Sequence, residues 1–318
     1  MTQRRFRWAV CQLDRLRRCF PASIRHAVDE LPKTLDETYE RILLGIDEEK
    51  RVYAIRLFQC LAFSRRPLFV KELAEVLAIQ FGAPIPRLNP SLRPGDADEA
   101  VLSACSTLVT TVGLDVYDEN NDYDTGSDYS YDPDIDYDDC DSDNCNTRIK
   151  SRLVQFSHYS VKEFLTSERL AKSDIGNISQ FYISQEPAHT ILAQSCISTL
   201  LQPDIHILDI TDSYPLAKYA AQNWFHHARC DGVASRIRAG MERLFDPDKK
   251  HFAMWISIYN MDNPTFEYYS RMFQEPSPVY YAALCGFESC QGSGTGGAGH
   301  TAGERGGRPD DGRIHRTL

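Results

Sequence analysis

The chain has 318 residues, 42% of them hydrophobic, which is length enough for two or three small cores. Its apolar runs are interrupted by charge well before the roughly 18 residues of a membrane helix, and the patch after Arg4, Arg5 and Arg7 is too short for a signal peptide, so a soluble, cytoplasmic protein is expected. The net charge of −10 is local: 13 acidic residues and no Lys or Arg fall between Asp115 and Thr147, leaving 32 acidic against 35 basic residues elsewhere.

The first elements are helical. Phe6, Val10, Leu13 and Leu16 recur at near-helical spacing over Arg4 to Cys19, opposite a basic face, and Pro21 ends the run. A short helix is expected over Ser23 to Leu31, and Thr34 with Glu37 has the spacing of a capping box opening Leu35 to Leu44. These segments resemble the end of a domain. Three apolar stripes follow: Ala54, Leu57, Phe58 and Leu61; Val70, Leu73, Ala74 and Leu77; Val101, Ala104, Cys105 and Leu108. Pro67 and then Pro84, Pro86, Pro90 and Pro94 separate them. Val112, Leu114 and Val116 alternate as a strand, Leu153 to Phe156 supplies another, and the two can pair as an antiparallel ribbon. Three helices before a two-stranded ribbon is the order of a winged helix, with the acidic segment as its wing. That segment has too much like charge and too little aliphatic content for a core and is expected to be disordered.

Ser157, His158 and Ser160 break the second strand, and Ser160 with Glu163 again has capping-box spacing. Val161, Phe164 and Leu165 then share one helical face. Further helices are expected over Pro187 to Leu201, Tyr214 to Arg229 and Ile237 to Phe245, followed by Phe252, Trp255 and Ile256. Ser277 to Phe287 matches the opening of an ankyrin repeat, with Pro278, Ala282 and Gly286 at its turn and small-residue positions. Residues 291–318 hold half of the 18 Gly and are expected to be disordered. Ten Cys are spread singly, mostly within apolar patterns, as small buried hydrophobes of a reducing compartment.

Taken together, RFRWAVCQLDRLRRC, LPKTLDETYERIL, LFQCLAFSRRPLFVKELAEVLAI, LVQFSHYSVKEFLTSERL, YAAQNWFHHAR and SPVYYAALCGF resemble, in this order, fungal NACHT-ankyrin proteins of the STAND class. The middle blocks are similar to the winged helix domain named after the GPI inositol-deacylase. The resemblance implies a NACHT remnant over 1–44, a winged helix over 45–171 with the insert 115–147, a helical linker over 172–275, a truncated repeat start over 276–290 and a tail over 291–318. It also implies that the winged helix passes on the nucleotide state of a preceding NACHT domain. The chain departs from the family in having no G-x-x-x-x-G-K-[ST] loop, so no nucleotide or other cofactor is expected, and a truncated gene product without independent function is one reading.

DNA binding is the rival for a winged helix, but the third helix carries Asp96, Asp98 and Glu99 without Lys or Arg, and the wing is anionic. Ser157, His158 and Ser160 lack a G-x-S-x-G elbow, and adjacent strand residues face opposite ways, so no Ser-His pair is expected to align there. His226, His227 and Cys230, or the pairs Cys140/Cys145 and Cys285/Cys290, lack the further ligands of a zinc site. Asp132, Asp134 and Asp136 imitate an EF-hand start, but Tyr137 stands at the Gly position. The expected function is therefore that of a non-enzymatic protein-interaction or regulatory module, mainly α, with protein partners or neighbouring domains and no small-molecule substrate. Ser157, His158, Ser160, Glu163, Thr34 and Glu37 are expected to act as capping and turn residues, and a DNA-associated regulator is the alternative.

Overall fold

A computed structural model describes residues 2–17, 19–115, 150–202, 213–262 and 277–287. The disorder expected for 115–147 (apart from Asp115) and for 291–318 therefore lies outside the described residues, as do Cys140, Cys145 and Cys290. The described chain is mainly helical. Helix α1 (Thr2–Arg17), α2 (Ile24–Asp29) and α3 (Leu35–Leu44) come first. Thr34 caps α3 by accepting the Glu37 amide at 3.1 Å, while the Glu37 carboxylate takes the Lys33 amide at 2.8 Å, so the expected spacing satisfies two orphan donors. Helix α1 packs on α3 through Gln12, which donates to Thr38 Oγ1 at 2.9 Å, and Trp8, whose Nε1 donates to the Pro32 carbonyl at 2.8 Å.

Helix α4 (Glu48–Phe63), strand β1 (Leu68–Phe69), α5 (Val70–Glu75) and α6 (Ala97–Cys105) lead to β4 (Val109–Asp115) and β5 (Lys150–Phe156). The expected two-stranded ribbon is a three-stranded antiparallel sheet in the order β1, β5, β4. Leu68 and Phe69 pair with Val154 and Leu153, and β4 pairs with β5 from Val109↔Phe156 to Asp115↔Lys150. A two-residue strand has no periodicity to read, and its partner lies far along the chain. The Pro-rich stretch expected only to separate helices also contains β3 (Arg87–Leu88), which pairs with β2 (Ile79–Gln80). Glu72 starts α5: its carboxylate accepts the Phe69 amide at 2.8 Å and takes both arms of Arg66 at 2.6 and 2.8 Å.

After β5 come α7 (Tyr159–Leu165), α8 (Glu168–Ala171), α9 (Gln185–Leu200), α10 (Ala217–Ala228), α11 (Val233–Leu244), α12 (His251–Ile258) and α13 (Pro278–Leu284). Helix α9 is buried almost all round, and its hydroxyls are silenced by bonding back along the helix: Thr190 to Glu186, Ser195 to Ile191, Ser198 to Gln194. At Gly240 of α11 a Cβ would stand 2.7 Å from the Ile197 side chain, so the glycine sets the closeness of α11 to α9. One continuous buried cluster runs from Leu35 through the sheet and α9 to Cys285, with Trp224 and Trp255 inside it and Trp8 packed against it.

Candidate functional site at the strand-to-helix joint

Beyond the last rung of β5, the Ser157 amide donates to the Leu108 carbonyl at 2.9 Å and holds the chain end against the start of β4. The chain then turns, and His158 caps α7, its Nδ1 accepting the Ser160 amide at 3.2 Å. The capping box expected from Ser160 and Glu163 is thus displaced. The helix begins at Tyr159, Ser160 lies inside its first turn and is buried, and Glu163 faces solvent.

Ser160 Oγ sits 2.6 Å from His158 Nδ1 and 2.8 Å from the Tyr39 hydroxyl of α3. For His158 Nδ1 to accept, the Ser160 hydroxyl must donate to it, and the Tyr39 hydroxyl then donates to Ser160. A Ser-His contact therefore exists where none was expected. The strand argument holds for neighbours, but residues two apart share a side, and the chain is already curling into a helix. Ser160 is only 2% exposed beneath Tyr39, and its contacts staple α3 to α7. Burial pushes the Tyr39 phenol pKa up, and its bond to Ser160 opposes this. Tyr39→Phe is expected to cost about 1–2 kcal/mol in urea unfolding, because Ser160 loses its donor while the ring contact with Phe164, at 5.5 Å between centroids, remains.

The same joint receives α1 and α8. Arg7 Nη2 donates to Ser157 Oγ at 2.6 Å, and Arg169 reaches Asp36 at 2.6 Å and Glu40 at 2.9 Å on α3. Between α1, α3 and the start of β4 lies a cleft of about 720 Å³, lined by Arg7, Gln12, Thr38, Arg41, Thr110 and Ser157 among others, with no carboxylate among the described lining residues. Arg7 Nε is buried there without a hydrogen-bond partner. The cleft presents cationic and hydroxyl groups, a chemistry that suits an acceptor-rich or anionic group.

Pro278 occupies the first turn of α13, Ala282 is buried, and Gly286 has φ +78°, a left-handed conformation that favours glycine. Arg229 closes the end of α13 by donating to the carbonyls of Cys285 at 2.8 Å and Leu284 at 2.9 Å. Sequence reasoning missed Arg7 and Tyr39 as members of the joint. Their partners lie 150 and 121 residues away, so no local signal marks them. Among the described residues no three His, Cys, Asp or Glu side chains gather to hold a metal, and no helix is long and apolar enough to cross a membrane.

The fold and joint define a mainly helical protein built on a small antiparallel sheet. No family model matches the chain, and no solved structure matches it. It is similar to the "Azaphilone pigments biosynthesis cluster protein L" of Monascus ruber, 30% identical over 269 residues, which is 81% of this chain and 50% of that protein. The chain thus spans about half the length of the curated relative it matches.

Proposed function

We propose that the chain is a non-catalytic interaction module of a NACHT-ankyrin-type regulator, in which residues 45–171 form a winged helix, 172–275 a helical linker and 276–290 the start of a repeat. The order of α4, α5 and α6 before β4 and β5 supports the winged helix reading. The observation that carries the function is the joint at residues 157–160, where Arg7 and Tyr39 from the first 44 residues are bonded to the turn between sheet and α7. A force applied to α1 or α3 is delivered there to the sheet and, through α7 and α8, to the helices that follow. The name of the Monascus ruber relative connects that protein with a pigment biosynthesis cluster and assigns it no reaction. The DNA-binding alternative is not favoured: α6 offers Asp98 and Glu99, and Asp98 is already paired with Arg152 at 2.9 Å.

The test uses the part of the Monascus ruber protein that this chain does not match, made as a separate polypeptide and titrated with the full chain by calorimetry. Association at micromolar strength, weakened about tenfold by Arg7→Glu at the cleft, is the expected result. Lack of association, or hydrolysis of ATP by the chain alone, overturns the reading.

A further inference from the structure

A second polar cluster lies deep between the two halves of the described chain, away from the cleft. Tyr219 of α10 accepts the backbone amide of Arg65, in the turn after α4, at 3.1 Å, and its hydroxyl stands 2.8 Å from Nε2 of His227. Nδ1 of His227 stands 2.9 Å from Nδ1 of His189 on α9. These contacts fix the protons. Having accepted from Arg65, Tyr219 must donate to His227 Nε2. His227 then carries its own proton on Nδ1 and donates it to His189 Nδ1. Every contact is satisfied only while both imidazoles are neutral.

One more proton breaks the pattern at either end. On His189 it sets two N–H groups against each other. Moving the His227 proton to Nε2 relieves that clash but turns it on the Tyr219 hydroxyl, which has no other acceptor among the described residues. The surroundings offer a new cation no compensation. The charged and titratable groups facing the cluster are Arg65 and Arg66 from the turn, Cys60 of α4, His226 of α10 and Cys196 of α9, with Lys162 of α7 across the Phe63 ring that packs on His189. The nearby carboxylate, Glu72, is held by both arms of Arg66. Burial, first of all, and the neighbouring positive groups hold the His227 imidazole down at about 3, and burial and Arg65 lower His189 as well.

We propose that this hydrogen-bonded chain is an acid-sensitive latch, in which proton uptake at the histidine pair releases α9 and α10 from the turn that follows α4. The sign follows from the depressed folded-state values. Unfolded histidine titrates near 6.5, so the latch is at full strength above that pH and weakens as pH falls from there towards about 3. At pH 5 the opened form gains about 30-fold from His227 alone. The latch stands on described contacts alone and is independent of what the module regulates.

The experiment is amide hydrogen exchange on the full chain at pH 7.5 and 5.0, with labelling times scaled for the intrinsic pH dependence of exchange. Protection of the 63–72 segment and of α10 is expected to fall about 30-fold at the lower pH, while that of α11 stays within about threefold. The double variant His189→Gln, His227→Gln is expected to lose this pH dependence, since neither amide titrates. Unchanged protection in the wild type, or the same fall in the double variant, overturns the latch. Should the double variant fail to fold, the histidine ring resonances of the wild-type chain decide. A His227 midpoint well below 6, lying below the pH range in which protection is lost, supports the latch, and a midpoint near 6.5 overturns it.

Discussion

Replacing Glu75 with alanine is expected to lower the unfolding free energy by about 3–5 kcal/mol and the melting temperature by roughly 6–20 °C. Glu75 closes α5 and is 2% exposed, yet it is an ionisable group. Its carboxylate pairs with Arg93 from the Pro-rich loop and accepts the Leu216 amide at 2.7 Å, just before α10. Burial pushes its pKa up, and Arg93 with the Leu216 amide work against that. Removing the carboxylate strands Arg93, whose Nε is already buried without a partner and whose guanidinium lies 5.3 Å from the Tyr214 ring centroid. It also leaves the buried Leu216 amide without its acceptor. The double variant Glu75→Leu, Arg93→Met removes the orphaned charge and is expected to recover most of the loss, leaving about 1 kcal/mol for the amide. Urea unfolding of Glu75→Leu, Arg93→Met and the double variant closes the cycle. Additive losses would mean that the pair does not couple the loop to the helices.

The wide reach of that one carboxylate shows where sequence reading ran out. Helix α3 was legible because its signal is local: Thr34 stands three residues before Glu37. Strand β5 and the helix after it were legible for the same reason. Contacts such as Glu75 to Leu216, Arg7 to Ser157 and Tyr39 to Ser160 join residues more than 100 positions apart, and no window on the sequence contains both partners. At the joint Ser160 with Glu163 was read as the cap, whereas His158 caps the helix, and its pairing with Ser160 depended on how sharply the chain leaves the sheet. The adjacent His226 and His227 drew attention as metal ligands. The structure gives His227 a phenol and a second imidazole instead, from residues 8 and 38 positions away.

Two buried indoles, Trp224 and Trp255, are expected to respond differently to substitution. Both are fully buried and stand 5.3 Å apart, edge to face, in a cage completed by Phe245 and Phe252. Alanine at either is expected to cost about 3–5 kcal/mol, because the cage cannot collapse around so large a void. Phenylalanine separates them. Trp255 Nε1 donates to the Ala221 carbonyl at 2.9 Å, whereas Trp224 Nε1 is buried without a partner. Trp255→Phe therefore gives up a hydrogen bond and Trp224→Phe removes a buried unsatisfied donor, so the first should be the costlier by about 1–2 kcal/mol in thermal or urea unfolding. The cage is also the seat of the last helix: Tyr281 of α13 packs 5.7 Å from Phe252 and 6.0 Å from Trp255, and Phe287 stacks on Trp224 at 5.7 Å. Widening the cage should loosen α13 before it unfolds the sheet, so limited proteolysis of Trp224→Ala is expected to cut first between residues 259 and 287. Equal sensitivity across the chain would mean that α13 stands or falls with the whole core.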